Sequence, residues 1–258
     1  MIFNPLIVVA SELGLGGPGK KPRKAGDTSA LVSAFRRVTS SGIGSVIVDS
    51  TNAGEAEAAI AEGAYTVVTD LAEFDRTHNY RSQSGAERIA ATVNRFDRFY
   101  THDIVVAVPD DIAELEPFYM QALMYALAST EVGIATLVSP LKPGDREDDY
   151  VAKAAVDWNN MRVVHPLEGS RVGTLIDIRR QAKKLPTDDI YRFVPIQAWR
   201  RGALDKLISQ PPSDREFEEG TDLVRALDAG VRVDVALVSE NMKVLITPEE
   251  LEGGDIEG

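Results

Sequence analysis

Residues 6–21 read LIVVASELGLGGPGKK, an apolar, β-branched run followed at once by glycines and lysines. The unbroken apolar stretch from Leu6 to Ala10 suits a strand buried on both faces. The glycine and lysine segment after it decides the fold, because two nucleotide patterns overlap there. G-x-G-x-x-G runs through Gly14, Gly16 and Gly19, and G-x-x-x-x-G-K runs through Gly14, Gly19 and Lys20. The second pattern needs Ser or Thr after the lysine to ligate magnesium, and a helix starting there to aim its amides at phosphate. Lys21 and Pro22 supply neither. The first pattern needs its third glycine inside a helix and an acid roughly 20 residues further on. Here the next helical pattern opens near Thr28, and the acid closing the second strand, Asp49, lies well beyond that spacing. Two readings stay open. One is a solvated loop of glycines and lysines. The other is a long basic loop leaving the first strand at its carboxyl end, where open α/β sheets hold ligands, and closing over a triphosphate.

The surrounding composition narrows the partners. The chain has 258 residues, of which 44% are hydrophobic and 26% charged, the range of an ordinary globular protein with a sizeable core. Lys and Arg number 28 against 40 Asp and Glu, a net charge of -12, so neither nucleic acid nor an anionic membrane is an expected partner. Positive charge is local, in Lys20, Lys21, Arg23 and Lys24. Cysteine is absent, which excludes disulfides, thiolate zinc sites and cysteine nucleophiles. His78, His102 and His165 are scattered without metal-ligand spacing. The apolar run at the start is too short for a signal segment or a membrane span, so the expected location is cytoplasmic.

Short apolar runs alternate with helical patterns through the first half, which argues for a parallel sheet with crossover helices. Strands are expected at 6–10, 44–49, 65–69, 103–108 and 132–138. Leu31, Ala34, Phe35 and Val38 make one helical stripe, and Ile89, Val93 and Phe96 another; an alanine-rich helix is expected around Glu55 to Ala61. Beyond Pro140 the chain changes character. A charged loop leads to strand-like runs at 151–156, 161–165 and 189–199, helices at about 200–208 and 215–228, a strand at 230–238 and a short helix opening at Thr247-Pro248. The whole is expected to be a single domain over 1–258, with a nucleotide-binding half at 1–140 and a sugar-binding and dimerisation half at 141–258.

Six blocks then resemble, in order, those of the 3-deoxy-manno-octulosonate cytidylyltransferases (CMP-Kdo synthetases), within the sugar nucleotidyltransferase fold. The family's A-R-x-x-S-T-R-L-P-G-K is similar to the stretch from Ala10 to Pro18-Gly19-Lys20, and its S-G-T-D-R to Ser84-Gly85-Ala86-Glu87-Arg88. Its V-N-V-Q-G-D-E-P resembles Val105 to Ile112, with Asp110 in the place of the magnesium aspartate. Its Y-R-H-I-G-I-Y-A-Y-R matches Tyr191 to Arg200, its L-P-P-S-x-x-E-x-x-E segment matches Gln210-Pro211-Pro212-Ser213 through Glu216, Glu219 and Asp222 to Arg225-Ala226-Leu227 and Gly230, and its V-D-T-P-E-D-L matches Leu245 to Leu251.

The resemblance implies a Rossmann-like α/β fold: a mostly parallel central sheet with helices on both faces, and a smaller β-rich lobe for dimerisation and sugar binding. It implies CTP and a sugar acid as partners, Mg2+ as cofactor and a homodimer. By position it implies Lys20 and Asp110 as catalytic residues, Asp110 also as the metal ligand. Gly14, Gly16, Gly19, Lys20, Lys21, Ser84, Gly85 and Arg88 are the implied nucleotide contacts, and Arg192, Glu219 and Asp222 the implied sugar contacts. The departures fall on polar positions: the family's two N-terminal arginines are Ser11 and Gly16, its sugar-contacting glutamine is Val108, its histidine is Phe193, the glutamine of E-Q-L-R is Leu223, and its second magnesium aspartate is Ile246. Two functions are expected in consequence. The first is a divergent cytidylyltransferase moving CMP from CTP to a 2-keto sugar acid with release of pyrophosphate. The second is a catalytically degenerate homologue acting as a nucleotide- or sugar-binding or regulatory protein.

Overall fold

The computed structural model describes residues 4–11, 13, 30–70, 73, 85–112, 115–163 and 171–238. The expected helix at Thr247 lies outside them.

The apolar runs of the first half form β1 (Leu6–Ala10), β2 (Ser45–Ser50), β3 (Tyr65–Val68), β4 (Ile104–Pro109) and β5 (Ile134–Ser139). Three helices alternate with the early strands: α1 (Ala30–Ser40), α2 (Ala53–Ala61) and α3 (Gly85–Phe96). Asn52 starts α2 by accepting hydrogen bonds from the backbone N–H groups of Gly54 and Glu55, satisfying donors that the first helical turn leaves unpaired. A helix that the sequence pattern did not announce, α4 (Pro117–Ala126), bridges β4 and β5 and opens on Pro117, where a missing N–H costs nothing.

In the second half, β6 (Lys153–Val163) and β7 (Arg171–Arg179) pair antiparallel, β8 (Ile190–Arg200) comes next, and β9 (Val233–Leu237) is the last strand among the described residues. β7 is not among the expected strands, and the expected runs at 151–156 and 161–165 meet, over their described residues 153–156 and 161–163, in the one long strand β6. Helix α5 (Arg201–Ile208) forms as expected. The expected helix at 215–228 is two, α6 (Asp214–Glu219) and α7 (Leu223–Asp228), because Gly220 turns into the left-handed region at φ 71° and ends the first.

The nine strands of the described residues share one sheet in the order β3-β2-β1-β4-β8-β5-β9-β7-β6, with β8 also paired to β6. β1, β2, β3 and β4 run parallel, as do β5 and β9, while β8 runs antiparallel between β4 and β5. A strand of the second half thus sits inside the sheet of the first. One face packs on α1 and α4 through Leu31, Phe35, Met120 and Leu123. The other packs on α3, α5 and α7 through Ile89, Val93, Leu204 and Val224. No helix among the described residues is long and apolar enough to cross a membrane.

Candidate active site

The parallel strands end along one edge, and the polar residues of interest gather there. Ser11 comes directly after β1, and its N–H donates to the carbonyl of Asp49 at the end of β2 (3.0 Å). Asp110 comes directly after β4, and its N–H donates to the carbonyl of Ala10 (3.1 Å), which sets this half-buried carboxylate beside the exit of β1. The chain beyond Ser11 runs into the glycine and lysine segment. Gly14, Gly16, Gly19, Lys20, Lys21 and Ser84 lie outside the described residues.

Arg88 is placed otherwise than a nucleotide contact requires. Its guanidinium is buried and forks onto Asp49, Nε to Oδ2 at 3.0 Å and Nη2 to Oδ1 at 3.1 Å, while Nη1 donates to the carbonyl of Ser11 at 2.7 Å. Thr92 adds a hydroxyl bond to the same carboxylate at 2.7 Å. All three guanidinium nitrogens are engaged within the protein, so Arg88 ties α3 to the ends of β1 and β2. The charge that the sequence would spend on phosphate is held beneath the site.

The second-half residues meet α3 at its start. Gly85, the first residue of α3, has no side chain, and a Cβ there would come within 3.3 Å of Leu13 and 3.6 Å of the Asp222 carboxylate. An expected nucleotide residue and an expected sugar residue therefore adjoin. Asp222 precedes α7, is buried, and accepts from Gln197 Nε2 at 2.9 Å. Burial pushes its carboxyl up, and the bond from Gln197 opposes that. Behind it, Arg225 donates to both oxygens of Glu87 at 2.5 and 3.0 Å and faces Glu216 at 2.9 Å. One guanidinium cannot offset every carboxylate around it. Burial, followed by the charge of Asp222, pushes Glu216 up to about 8.

Glu219 and Arg192 stand further from Gly85 and are committed to protein partners. Glu219 accepts from Arg179 Nη1 at 3.3 Å and from the N–H of Arg180 at 2.6 Å, which pins α6 to the end of β7. Arg192, fully buried, faces Asp145 at 3.5 Å and pairs across the sheet with Lys153. Lys153 donates to the carbonyls of Asp148 and Arg180, and burial lowers its pKa. These two are held in ion pairs of their own, whereas Asp222 borders the start of α3.

Val108 and Phe193, which take the family's glutamine and histidine positions, are fully buried in the two cores. The sequence reading does not reach Gln197 or Asp49 as site residues. A glutamine alone in the apolar run Phe193–Trp199 is the available signal for the first. Nothing in the sequence pairs Asp49 with Arg88.

For a metal, the described residues contain no group of three acids or histidines that could cage one. Asp110 offers one hard oxygen donor at the strand edge, and magnesium is commonly held by one or two carboxylates together with substrate phosphates and waters.

The chain is 31% identical over 255 residues to a 3-deoxy-manno-octulosonate cytidylyltransferase of Azorhizobium caulinodans, covering 98% of this chain and 92% of that protein. It is 29% identical over 254 residues to the enzyme of the same name from Methylobacterium radiotolerans, covering 96% and 94%. A solved structure of CMP:2-keto-3-deoxy-manno-octonic acid synthetase complexed with CTP superposes with a TM-score of 0.71 at 18% identity, over 97% of this chain and 96% of that one. A mannose-1-phosphate geranyltransferase from Thermus thermophilus superposes at 0.55 with 13% identity, over 99% and 80%. No protein-family model matches. The structural likenesses are likenesses of fold.

Proposed function

The chain belongs to the 3-deoxy-manno-octulosonate cytidylyltransferase family, and from that premise we propose that it transfers the cytidylyl group of CTP to a 2-keto sugar acid of the Kdo type. In that reaction a sugar hydroxyl oxygen bonds to the α-phosphorus, the bond to the bridging oxygen breaks, and pyrophosphate leaves with the electron pair. The hydroxyl proton passes to solvent. Such transfer is mostly positioning plus stabilisation of charge on phosphate oxygens.

The observation that carries the reading is the meeting of both halves at one sheet edge: Asp110 beside the exit of β1, and Asp222 beside the start of α3. Under this reading Lys20, Lys21 and the glycines grip the triphosphate, Asp110 holds a magnesium ion, and the α3–α7 corner receives the sugar. Magnesium bound there would neutralise charge gathering on the phosphates. The family also implies a homodimer, which sedimentation of the purified protein tests.

A second reading, binding without turnover, draws on the burial of Val108 and Phe193 and on Ile246 in place of the second metal aspartate. The two separate in one assay. Protein with CTP, magnesium and a Kdo-type acid should release pyrophosphate, and Asp110→Asn should lower the rate about a hundredfold, the scale of one lost electrostatic contact. CTP binding that ignores magnesium, with no pyrophosphate from any acid, favours the second reading.

A further inference from the structure

Gln197 carries a buried acceptor with nothing to accept from. It is 9% exposed, its Nε2 is bound to Asp222 Oδ1 at 2.9 Å, and its Oε1 has no hydrogen-bond partner among the described residues. Such an orphan is destabilising in a folded protein, and natural structures keep few of them. Its setting is unusual as well. Just before Gln197 the pairing of β5 with β8 slips, Thr136 facing Gln197 while Leu137 faces Val194, so β8 bulges at Pro195 and Ile196. Pro195 has no N–H to lose in a bulge. Thr136 Oγ1 lies 3.2 Å from the carbonyl of Val194 and 2.7 Å from that of Ile196, holding the bulge in shape. Bulges beside active sites re-aim the adjoining side chain. Gln197 also faces Ala107 of β4, three residues before Asp110, and reaches through Asp222 to Gly85.

We infer that Gln197 is a specificity-determining residue, whose Oε1 accepts a hydrogen bond from one hydroxyl of the acceptor sugar acid, and that Asp222 is the residue positioning it. Asp222 anchors Nε2, so the amide presents its oxygen and not its nitrogen. The site therefore selects a group that donates, and rejects an analogue in which that hydroxyl is deleted. This inference rests on the cytidylyltransferase reading.

The test is steady-state kinetics with a Kdo-type acid and analogues that each lack one hydroxyl. Wild-type protein should discriminate against one analogue by roughly 10- to 100-fold in kcat/KM, the scale of one hydrogen bond in a desolvated pocket. In Gln197→Met, or Gln197→Leu if the first does not fold, that discrimination should collapse to near unity, the KM for the sugar should rise and the KM for CTP should stay the same. A purely structural glutamine would alter both KM values or neither, and would leave the discrimination intact. Wild-type indifference to every deletion, or unchanged discrimination in the folded variants, overturns the inference while leaving the transferase reading standing. Absence of turnover with any acid overturns both, and is distinguished from the first outcome by the parent acid alone.

Discussion

Glu216 shares Arg225 with Glu87, and the consequence can be read in solution. Its pKa in the fold, about 8, lies above its ordinary 4.5, so the folded state binds a proton that the unfolded chain releases. The linked stabilisation is complete below about 4.5 and is lost as pH rises through about 8. Stability should therefore fall between those values, and Glu216→Gln should flatten the fall; urea midpoints across that range check it, and an equally steep profile in the variant would refute it. Arg88 answers to a different rule. Arg88→Met strands the Asp49 carboxylate without its buried partner, which should cost about 3–5 kcal/mol in denaturant melts, far more than an exposed phosphate-binding arginine would. Here, too, the sequence is least legible. Asp110 is assigned from a strand-end motif, and its backbone N–H bonds to the carbonyl of Ala10 at the end of β1. Arg88 and Glu219 are assigned by motif position too, but motif position says nothing of which carboxylate a guanidinium will find, or which cation an acid will, across the fold.

The strands and amphipathic helices declare themselves because their burial follows a simple period. β1, β4 and β5 are buried at every residue, so they read as unbroken apolar runs. α1 buries one stripe, and α3, although buried over most of its first half, carries its large apolar residues Ile89, Val93 and Phe96 at helical spacing, so both read as helices. The missed elements break those rules. α4 is buried at Tyr119, Met120, Ala122, Leu123, Met124 and Ala126, most of its circumference, so no polar stripe marks it. β7 mixes buried Val172, Leu175 and Ile178 with polar Thr174 and Asp177 in no strict alternation, having neighbours on both sides and a register slip against β6. The break between α6 and α7 is a matter of one dihedral. Gly220→Ala places a Cβ at φ 71°, 2.6 Å from Arg180 Nη2, and displaces an arginine that donates to the carbonyls of Asp149 and Tyr150. A loss of about 1–2 kcal/mol is expected from the left-handed conformation alone. Thermal melts measure it, and an unchanged midpoint would show that the turn does not need glycine.

Across the whole molecule the two halves do not form separable bodies, because β8 is hydrogen-bonded to β4 and β5 of the first half and to β6 of the second. Trp199 on β8 is buried between them. Urea unfolding followed by tryptophan fluorescence and by far-ultraviolet circular dichroism should therefore give superimposable transitions. Two separated steps would mean that the halves hold together only loosely.

The place of β8 also orders events during synthesis. A ribosome that has delivered β5 has released a chain whose fourth and fifth strands have no neighbour to fill the space between them, and some fifty residues of hairpin and loop must emerge before that neighbour arrives. Until then both strands expose unpaired amides and carbonyls, the template for sticking to other nascent chains. Slow translation through this interval should raise aggregation, and a chaperone that shields strand edges should matter most to this protein before its carboxyl third has left the exit tunnel.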